Sequence, residues 1–221
     1  MGESRIPRIM EPAPDFESKS THGLIRLSDY TSKGKWVLLF SHPADFTPVC
    51  STEFIEFARR TPEFERINVQ LIGVSIDSVY SHIAWVRDLE QLGGVQVKFP
   101  VVADLDQKVS QAYGLVHEAV SDTSAVRSVF VIDPKGNIRA LLYYPMQLGR
   151  NIDELLRIFQ ALQTGYANGV STPVDWVPGD PVIIPAPATV DEAAKRTNGG
   201  GAGLDIQSWY LSKKDLSVPA K

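Results

Sequence analysis

Residues 36–50 read Trp36-Val-Leu-Leu-Phe-Ser-His-Pro-Ala-Asp-Phe-Thr-Pro-Val-Cys50, and this stretch decides how the chain folds. Its first half, Trp36 to His42, is a continuous apolar run stopped by Pro43, the pattern of a parallel strand buried on both faces. Downstream, Phe54, Phe57, Ala58 and Phe64 recur near helical spacing over Ser51 to Arg66, where Pro62 is expected to kink or split the helix. The loop from Pro43 to Cys50 therefore lies at the carboxyl end of a buried strand and delivers the cysteine to the first turn of a helix.

Outward from this unit the order of elements is legible. Val69 to Ile76 is a second buried strand. Tyr80 to Leu92 reads as a helix, with Ile83, Val86 and Leu89, or Trp85, Leu89 and Leu92, on one side, and Gly93-Gly94 ends it. A short strand at Val101-Val102 and a helix around Asp106 to Tyr113 follow. Ser128 to Ile132 and Ile138 to Tyr143 are β-rich runs joined by the turn signal Asp133-Pro-Lys-Gly-Asn137. Asn151 to Tyr166 is an amphipathic helix with Ile152, Leu155, Leu156, Phe159 and Leu162 on one stripe. The order βαβ then ββα is α/β: a thioredoxin-like mixed sheet flanked by helices, with extra N-terminal strands near Phe16 and Leu24 to Leu27. Beyond Asn168 the composition shifts, because six of the chain's 15 prolines fall there, with a flexible Asn198-Gly-Gly-Gly201 stretch. We place a thioredoxin-like domain over residues 1–165 and a Pro-rich C-terminal extension domain over 166–221. The latter is too small to bury a core of its own, so Val182-Ile-Ile184, Trp209, Tyr210 and Leu211 need a covering surface, in this subunit or a partner.

Composition narrows the function. Hydrophobic residues make up 43% and charged residues 22% of the 221 residues, the balance of an ordinary globular protein. A net charge of -4 argues against nucleic acid or an anionic membrane as partner. No apolar run approaches a membrane span, and the N-terminus lacks the pattern of a secretory signal, so a cytoplasmic location is expected. The single cysteine excludes an intramolecular disulfide and any cysteine-only metal site.

A lone cysteine is usually a small buried hydrophobe, yet Cys50 occupies a helix N-terminus, where unpaired N–H groups and the dipole favour a thiolate. Thr47 stands where a Cys-x-x-Cys oxidoreductase carries its other thiol, so dithiol exchange is ruled out. Thiolate formation alone is not enough for peroxide chemistry. Lowering a thiol pKa from about 8.5 to about 6 raises the thiolate fraction at pH 7 roughly 30-fold. The intrinsic nucleophilicity falls roughly 10-fold with it, leaving a gain of about two- to threefold. A fast peroxidase must also stabilise the peroxide oxygens as their bond breaks. The donors on offer are the Thr47 hydroxyl, the Val49 and Cys50 N–H groups, and Arg127, which precedes the strand expected beside the helix.

The pattern Pro43-x-x-x-Thr47-x-x-Cys50 resembles the active-site signature of peroxiredoxins. The wider string Ser41 to Cys50, Gly149-Arg150-Asn151 and Thr172-Pro-Val-Asp-Trp176 are similar to the one-cysteine, peroxiredoxin-6-like subfamily. The resemblance implies Cys50 as peroxidatic nucleophile, Thr47 and Arg127 holding a hydroperoxide, and Pro43 shielding the sulfur. It implies that Glu53 and Arg150 support the site and that His42 lies close to Cys50. A homodimer or larger homo-oligomer is implied as well, with no metal or organic cofactor.

Blander readings stand beside these. Thr47 suits an N-cap, with or without a catalytic role, and Arg127 by itself reads as half of a surface ion pair. His42 is either a polar contact to the sulfur or a packed strand-end histidine. Glu53 suits a first helical turn, and Arg150 suits a cap. His22, His82 and His117 lack metal-ligand spacing and read as structural or surface residues. With no second cysteine, a Cys50 sulfenic acid must be reduced by an external small thiol or a separate reducing protein. Some relatives also resemble lipases through a Ser-His-Asp set. The matching positions here are Lys35, Ser28 and Lys135, which cannot fill those roles. A cysteine hydrolase using Cys50 and His42 would leave Thr47 and Arg127 without a task, whereas a binding or chaperone-like role is compatible with the chemistry.

Overall fold

The computed structural model describes residues 5–121, 123–198, 201 and 203–216. The chain divides into two compact units that meet between Ile152 and Asp153.

The first unit begins with a hairpin, β1 (Glu17–Ser20) and β2 (Gly23–Arg26), and a single turn, α1 (Ser28–Thr31). Then come β3 (Trp36–Ser41), α2 (Pro48–Arg66), β4 (Val69–Ser75), α3 (Val79–Gly93), β5 (Val101–Ala103) and α4 (Lys108–Tyr113). The unit closes with the hairpin β6 (Arg127–Ile132) and β7 (Ile138–Tyr144). Seven strands form one mixed sheet in the order β2-β1-β5-β4-β3-β6-β7. β3 runs parallel to β4 and antiparallel to β6, so it occupies the interior of the sheet.

Every residue of β3 and β6 is buried. Alternate side chains of a strand point to opposite faces, so both faces are covered here. On one face Val37 and Leu39 join Ile72, Val74, Phe130 and Tyr113 in a continuous core. On the other, the Phe40 ring stacks on Phe57 of α2 at 4.3 Å and meets Phe54 at 5.3 Å. Gly73, the register partner of Phe40, makes room for that aromatic layer, since a Cβ there would lie 3.1 Å from Phe54 Cζ.

Three details differ from the sequence expectation. Helix α2 is not split at Pro62 but runs unbroken for 19 residues. Pro62 is on the exposed side, where water can serve the carbonyl that loses its donor. The buried stripe of α3 is His82, Trp85 and Leu89, while Ile83 and Leu92 are exposed. Helix α4 begins at Lys108, where the Asp104 carboxylate accepts from the Val109 and Ser110 N–H groups. The Asp133 turn forms as expected: its Oδ1 accepts from Lys135 N and Asn137 N, and Gly136 adopts φ +79°.

The second unit carries α5 (Ile152–Asn168), β8 (Val182–Ile183), α6 (Val190–Thr197), β9 (Asp205–Ile206) and β10 (Ser212–Lys214). Its three strands form an antiparallel sheet in the order β8-β10-β9. Trp176 is buried, with its indole N–H donating to Asp180 O, and Val182 is buried too. Trp209 and Tyr210 remain about half exposed. The glycine stretch expected to be flexible lies partly outside the described residues, at Gly199 and Gly200.

Candidate active site

The site is built where β3 ends and α2 begins. The His42 N–H still bonds to Val74 O in continuation of the ladder, and the chain then leaves the sheet through the buried Pro43. Phe46 adopts φ +56°, a left-handed conformation that costs a bulky residue about 1–2 kcal/mol. Two bonds pin the turn around it: the Asp45 N–H donates to Asp77 Oδ2 (3.1 Å), and the Thr47 hydroxyl donates to Ala44 O (2.8 Å).

Thr47 is the N-cap residue by position, but its side chain does not cap the helix. With its one proton directed at Ala44 O, the hydroxyl oxygen has only lone pairs left to offer. Pro48 fills the first helical position, where its missing N–H costs nothing. Ser51 makes the first bond back, to Thr47 O, so the Val49 and Cys50 N–H groups have no acceptor within the helix. Cys50 is fully buried at this electropositive end.

Arg127 heads β6 and is 2% exposed, which overturns the surface ion-pair reading. Its Nε donates to Met146 O (2.8 Å), and its Nη1 donates both to Cys50 Sγ (3.2 Å) and to Glu53 Oε2 (2.8 Å). Glu53 sits one turn after Cys50, buried, and collects more donors from Arg150: the backbone N–H (2.8 Å), Nε (2.9 Å) and Nη2 (2.6 Å). Burial works to raise the Glu53 pKa, but the charge and hydrogen bonds of Arg150, together with Arg127, outweigh it and hold the carboxyl below its ordinary range. Arg150 in turn donates through Nη1 to the Ser41 and Ser128 carbonyls and lies over the Phe40 ring at 5.1 Å. The sulfur, two guanidiniums and one carboxylate thus form a single buried network whose cations are fixed on β6 and on the loop before α5.

His42 is fully buried, stacked on Trp85 at 5.0 Å and edge-on to Phe54 at 4.8 Å. Its Nε2 bonds to Asp45 Oδ1 (2.9 Å), whereas its Nδ1 has no hydrogen-bond partner among the described residues. Burial pushes the ring toward its neutral form despite Asp45 beside it. A cysteine hydrolase needs the thiol bonded to a histidine base; here the group bonded to the thiol is Arg127. Sequence reasoning missed His82 and Asp45, which pair at 2.8 Å, and the Ser41–Ser128 hydroxyl contact at 2.7 Å. The helical spacing of His82 with Trp85 and Leu89 was the available signal.

The chain is similar to known proteins along most of its length. The AhpC/TSA family profile matches residues 9–141, and the profile of the C-terminal domain of 1-Cys peroxiredoxin matches residues 161–200. A peroxiredoxin of Aquifex aeolicus (strain VF5) is 48% identical over 221 residues, covering 96% of this chain and 98% of that protein. A peroxiredoxin of Thermotoga maritima is 50% identical over 218 residues, covering 97% of this chain and 100% of that protein. Among solved structures, the yeast mitochondrial 1-Cys peroxiredoxin superimposes with a TM-score of 0.84 at 41% identity, covering 96% of this chain and 100% of that one. A cysteine-to-serine mutant of peroxiredoxin 6 of Arenicola marina also gives 0.84, at 29% identity, over 96% of this chain and 99% of that one.

Proposed function

The chain belongs to the peroxiredoxins of the AhpC/TSA family, thiol peroxidases, and carries the C-terminal domain of the one-cysteine type; on that footing we propose that Cys50 is the nucleophile and that Thr47, Arg127 and Pro43 form the peroxide pocket around it. The observation that carries this reading is the 3.2 Å bond from Arg127 to the sulfur at the first turn of α2. The Cys50 thiolate attacks one peroxide oxygen, an S–O bond forms and the O–O bond breaks. Sulfur loses two electrons, and the departing hydroxide or alkoxide takes a proton to leave as water or alcohol. Arg127 and the first-turn N–H groups stabilise the charge that moves onto the oxygens, while the Thr47 oxygen accepts from the peroxide hydroxyl. Glu53 and Arg150 hold Arg127 in place, Pro43 shields the sulfur, and His42 supports the site.

The chain has one cysteine, so the sulfenic acid product is resolved from outside, by a small thiol or a separate reducing protein. The yeast relative is described in terms of thiol resolution through glutathione and thioredoxin systems, which supports that assignment. We also infer a peroxidase domain over 1–165 and a C-terminal domain over 166–221 that packs on a second copy in a homodimer or larger ring. The half-exposed Trp209 and Tyr210 support it. No described helix is long and apolar enough to cross a membrane, and a cytoplasmic location is part of the proposal. With Lys35, Ser28 and Lys135 at the lipase-like positions, pure protein releases no fatty acid from labelled phospholipid.

Mass spectrometry after one equivalent of hydrogen peroxide tests the central reading. The wild type gains one oxygen that a small thiol removes, and Cys50→Ser gains none; a wild-type Cys50 that stays reduced for hours overturns it.

A further inference from the structure

Ser41 ends the otherwise apolar strand β3 and is fully buried. Burying a hydroxyl costs free energy unless it is hydrogen-bonded, and this one is bonded three ways. It lies 2.5 Å from Val126 O, 2.7 Å from Ser128 Oγ and 3.0 Å from the Ser128 nitrogen. A carbonyl only accepts and a peptide N–H only donates. The Ser41 proton therefore goes to Val126 O, while its two lone pairs take the Ser128 N–H and the Ser128 hydroxyl. Val126 and Ser128 are buried too, so solvent is not at hand to replace any of these bonds.

The Val126 carbonyl and the Ser128 N–H belong to the two peptide groups that flank the Arg127 Cα. One hydroxyl thus pins both, which fixes φ and ψ of Arg127 and the direction in which its side chain leaves the backbone. The strand ladder does not reach this far: the register of β3 with β6 runs from Val37↔Ile132 to Phe40↔Val129 and stops before Ser41 and Ser128. Upstream, the Val126 N–H bonds to Leu115 O and Ala125 bridges Val116, so Arg127 sits where the chain passes from that contact into the sheet. On one side β7 holds it, through Arg127↔Tyr144. On the β3 side the Ser41 hydroxyl takes over from the ladder, and Arg150 Nη1 ties the Ser41 and Ser128 carbonyls together at 2.9 and 3.0 Å. From this point the Arg127 side chain reaches Met146 O, Glu53 and, at 3.2 Å, Cys50 Sγ. A small rotation at its Cα is magnified at the guanidinium.

We propose that Ser41 is a positioning residue of the peroxidase reaction: its hydroxyl holds both peptide groups of Arg127 and so sets the guanidinium at hydrogen-bonding distance from the Cys50 sulfur. This rests on the reading of Cys50 and Arg127 given above. Glu53 and Arg150 steady the guanidinium end of Arg127, and Ser41 steadies the backbone end. If Ser41 only filled space, a small apolar side chain would serve as well. Alanine, however, leaves Val126 O and the Ser128 N–H buried without the partner they have here. Ser128 differs, because among the described residues its hydroxyl bonds to Ser41 alone; its anchoring group is the main-chain N–H, which any residue at that position supplies.

Stopped-flow oxidation of the full-length protein by hydrogen peroxide, measured as a double-mutant cycle with Arg127→Lys, tests this. Ser41→Ala slows the oxidation of Cys50 about 10- to 100-fold, the order of loss when a group that meets the transition state is misplaced. Ser128→Ala stays within a fewfold of wild type. In the Arg127→Lys background Ser41→Ala adds less than about threefold, because the group it positions is gone; a merely structural role would slow both backgrounds alike. Sucrose in every sample keeps a weakened variant folded. Where Ser41→Ala still does not fold, Ser41→Thr, which keeps the hydroxyl, completes the same cycle: it oxidises near the wild-type rate, or any loss it causes vanishes in the Arg127→Lys background. A wild-type rate in Ser41→Ala, equal losses in the two backgrounds, or a Ser128→Ala as slow as Ser41→Ala overturns the inference. If wild-type Cys50 gains no oxygen, the peroxidase reading falls; if it does and the coupling to Arg127 is absent, only the role of Ser41 falls.

Discussion

Glu53→Gln removes the one negative side chain on which two buried guanidiniums converge. The carboxylate accepts four N–H groups, from Arg127 Nη1 and from Arg150 N, Nε and Nη2, at 2.6–2.9 Å. Glutamine keeps one oxygen and turns the other position into an NH₂ group. The Arg127 Nη1 and Arg150 Nη2 donors, which share Oε2, then face a donor. Each hydrogen bond to a charged group is worth about 1.5–3 kcal/mol, so two lost bonds cost roughly 3–6 kcal/mol. Removing one partner of a buried ion pair typically costs about 3–5 kcal/mol, in agreement. The expected loss is about 4 kcal/mol of a total stability of roughly 5–15, or a Tm lower by about 10 °C. Urea unfolding at neutral pH, with an unchanged slope against urea, measures it. Acid provides a second signature. The folded Glu53 carboxyl titrates below its ordinary value of 4.5. Its contribution is therefore complete above the unfolded pKa and is lost as the pH falls through the folded one. The wild type weakens on acidification through this window, and the gap between wild type and Glu53→Gln narrows. A loss under about 1 kcal/mol at neutral pH, or a gap that does not close in acid, would refute the network as a stabilising device.

The remaining predictions concern single groups. Arg127→Lys cannot reach Met146 O, Glu53 and Cys50 Sγ from one ammonium; stopped-flow oxidation should slow by about 10²–10³-fold, and near wild-type rates would remove Arg127 from the pocket. Thr47→Val loses the acceptor oxygen and should slow the same step about tenfold or more, while Thr47→Ser stays within a fewfold of wild type; equal effects of the two would tie Thr47 to packing alone. Gly73→Ala places a Cβ 3.1 Å from Phe54 Cζ and should cost about 1–3 kcal/mol in denaturant unfolding, and a neutral outcome would mean that the aromatic layer shifts freely.

The sheet was legible because its signal is local and repeated. An apolar run such as Trp36 to Ser41 has one reading once Pro43 stops it, and the Asp133 turn carries its own acceptors. Where two local readings tie, sequence fails. In α3, Ile83-Val86 and Trp85-Leu89 both satisfy helical spacing, and the packing of the helix against α2 and β5 selects the His82-Trp85-Leu89 stripe. Pro62 misled for a related reason: its cost depends on which side of α2 faces water, a fact set by Phe54, Phe57 and Phe64 packing inward.

The site divides along the same line. Pro43, Thr47 and Cys50 are legible together because one loop and one helix turn fix their spacing. Arg127 and Arg150 reach Cys50 and Glu53 across 77 and 97 residues, and nothing in their own surroundings distinguishes them from surface cations; the family pattern, not residue chemistry, singled them out. Thr47 shows that a residue's position leaves its chemistry open. Whether its hydroxyl donates or accepts at a ligand is decided by Ala44 O, which the Phe46 turn carries to 2.8 Å. His82 lies beyond both kinds of reasoning, because the crossover from β4 to α3 carries it 37 residues to Asp45. Groups that act by shape alone leave a trace in spacing. Those that act by holding a charge are defined by what surrounds them, so the part of this site that residue chemistry alone could not disclose is the part that holds its charges in place.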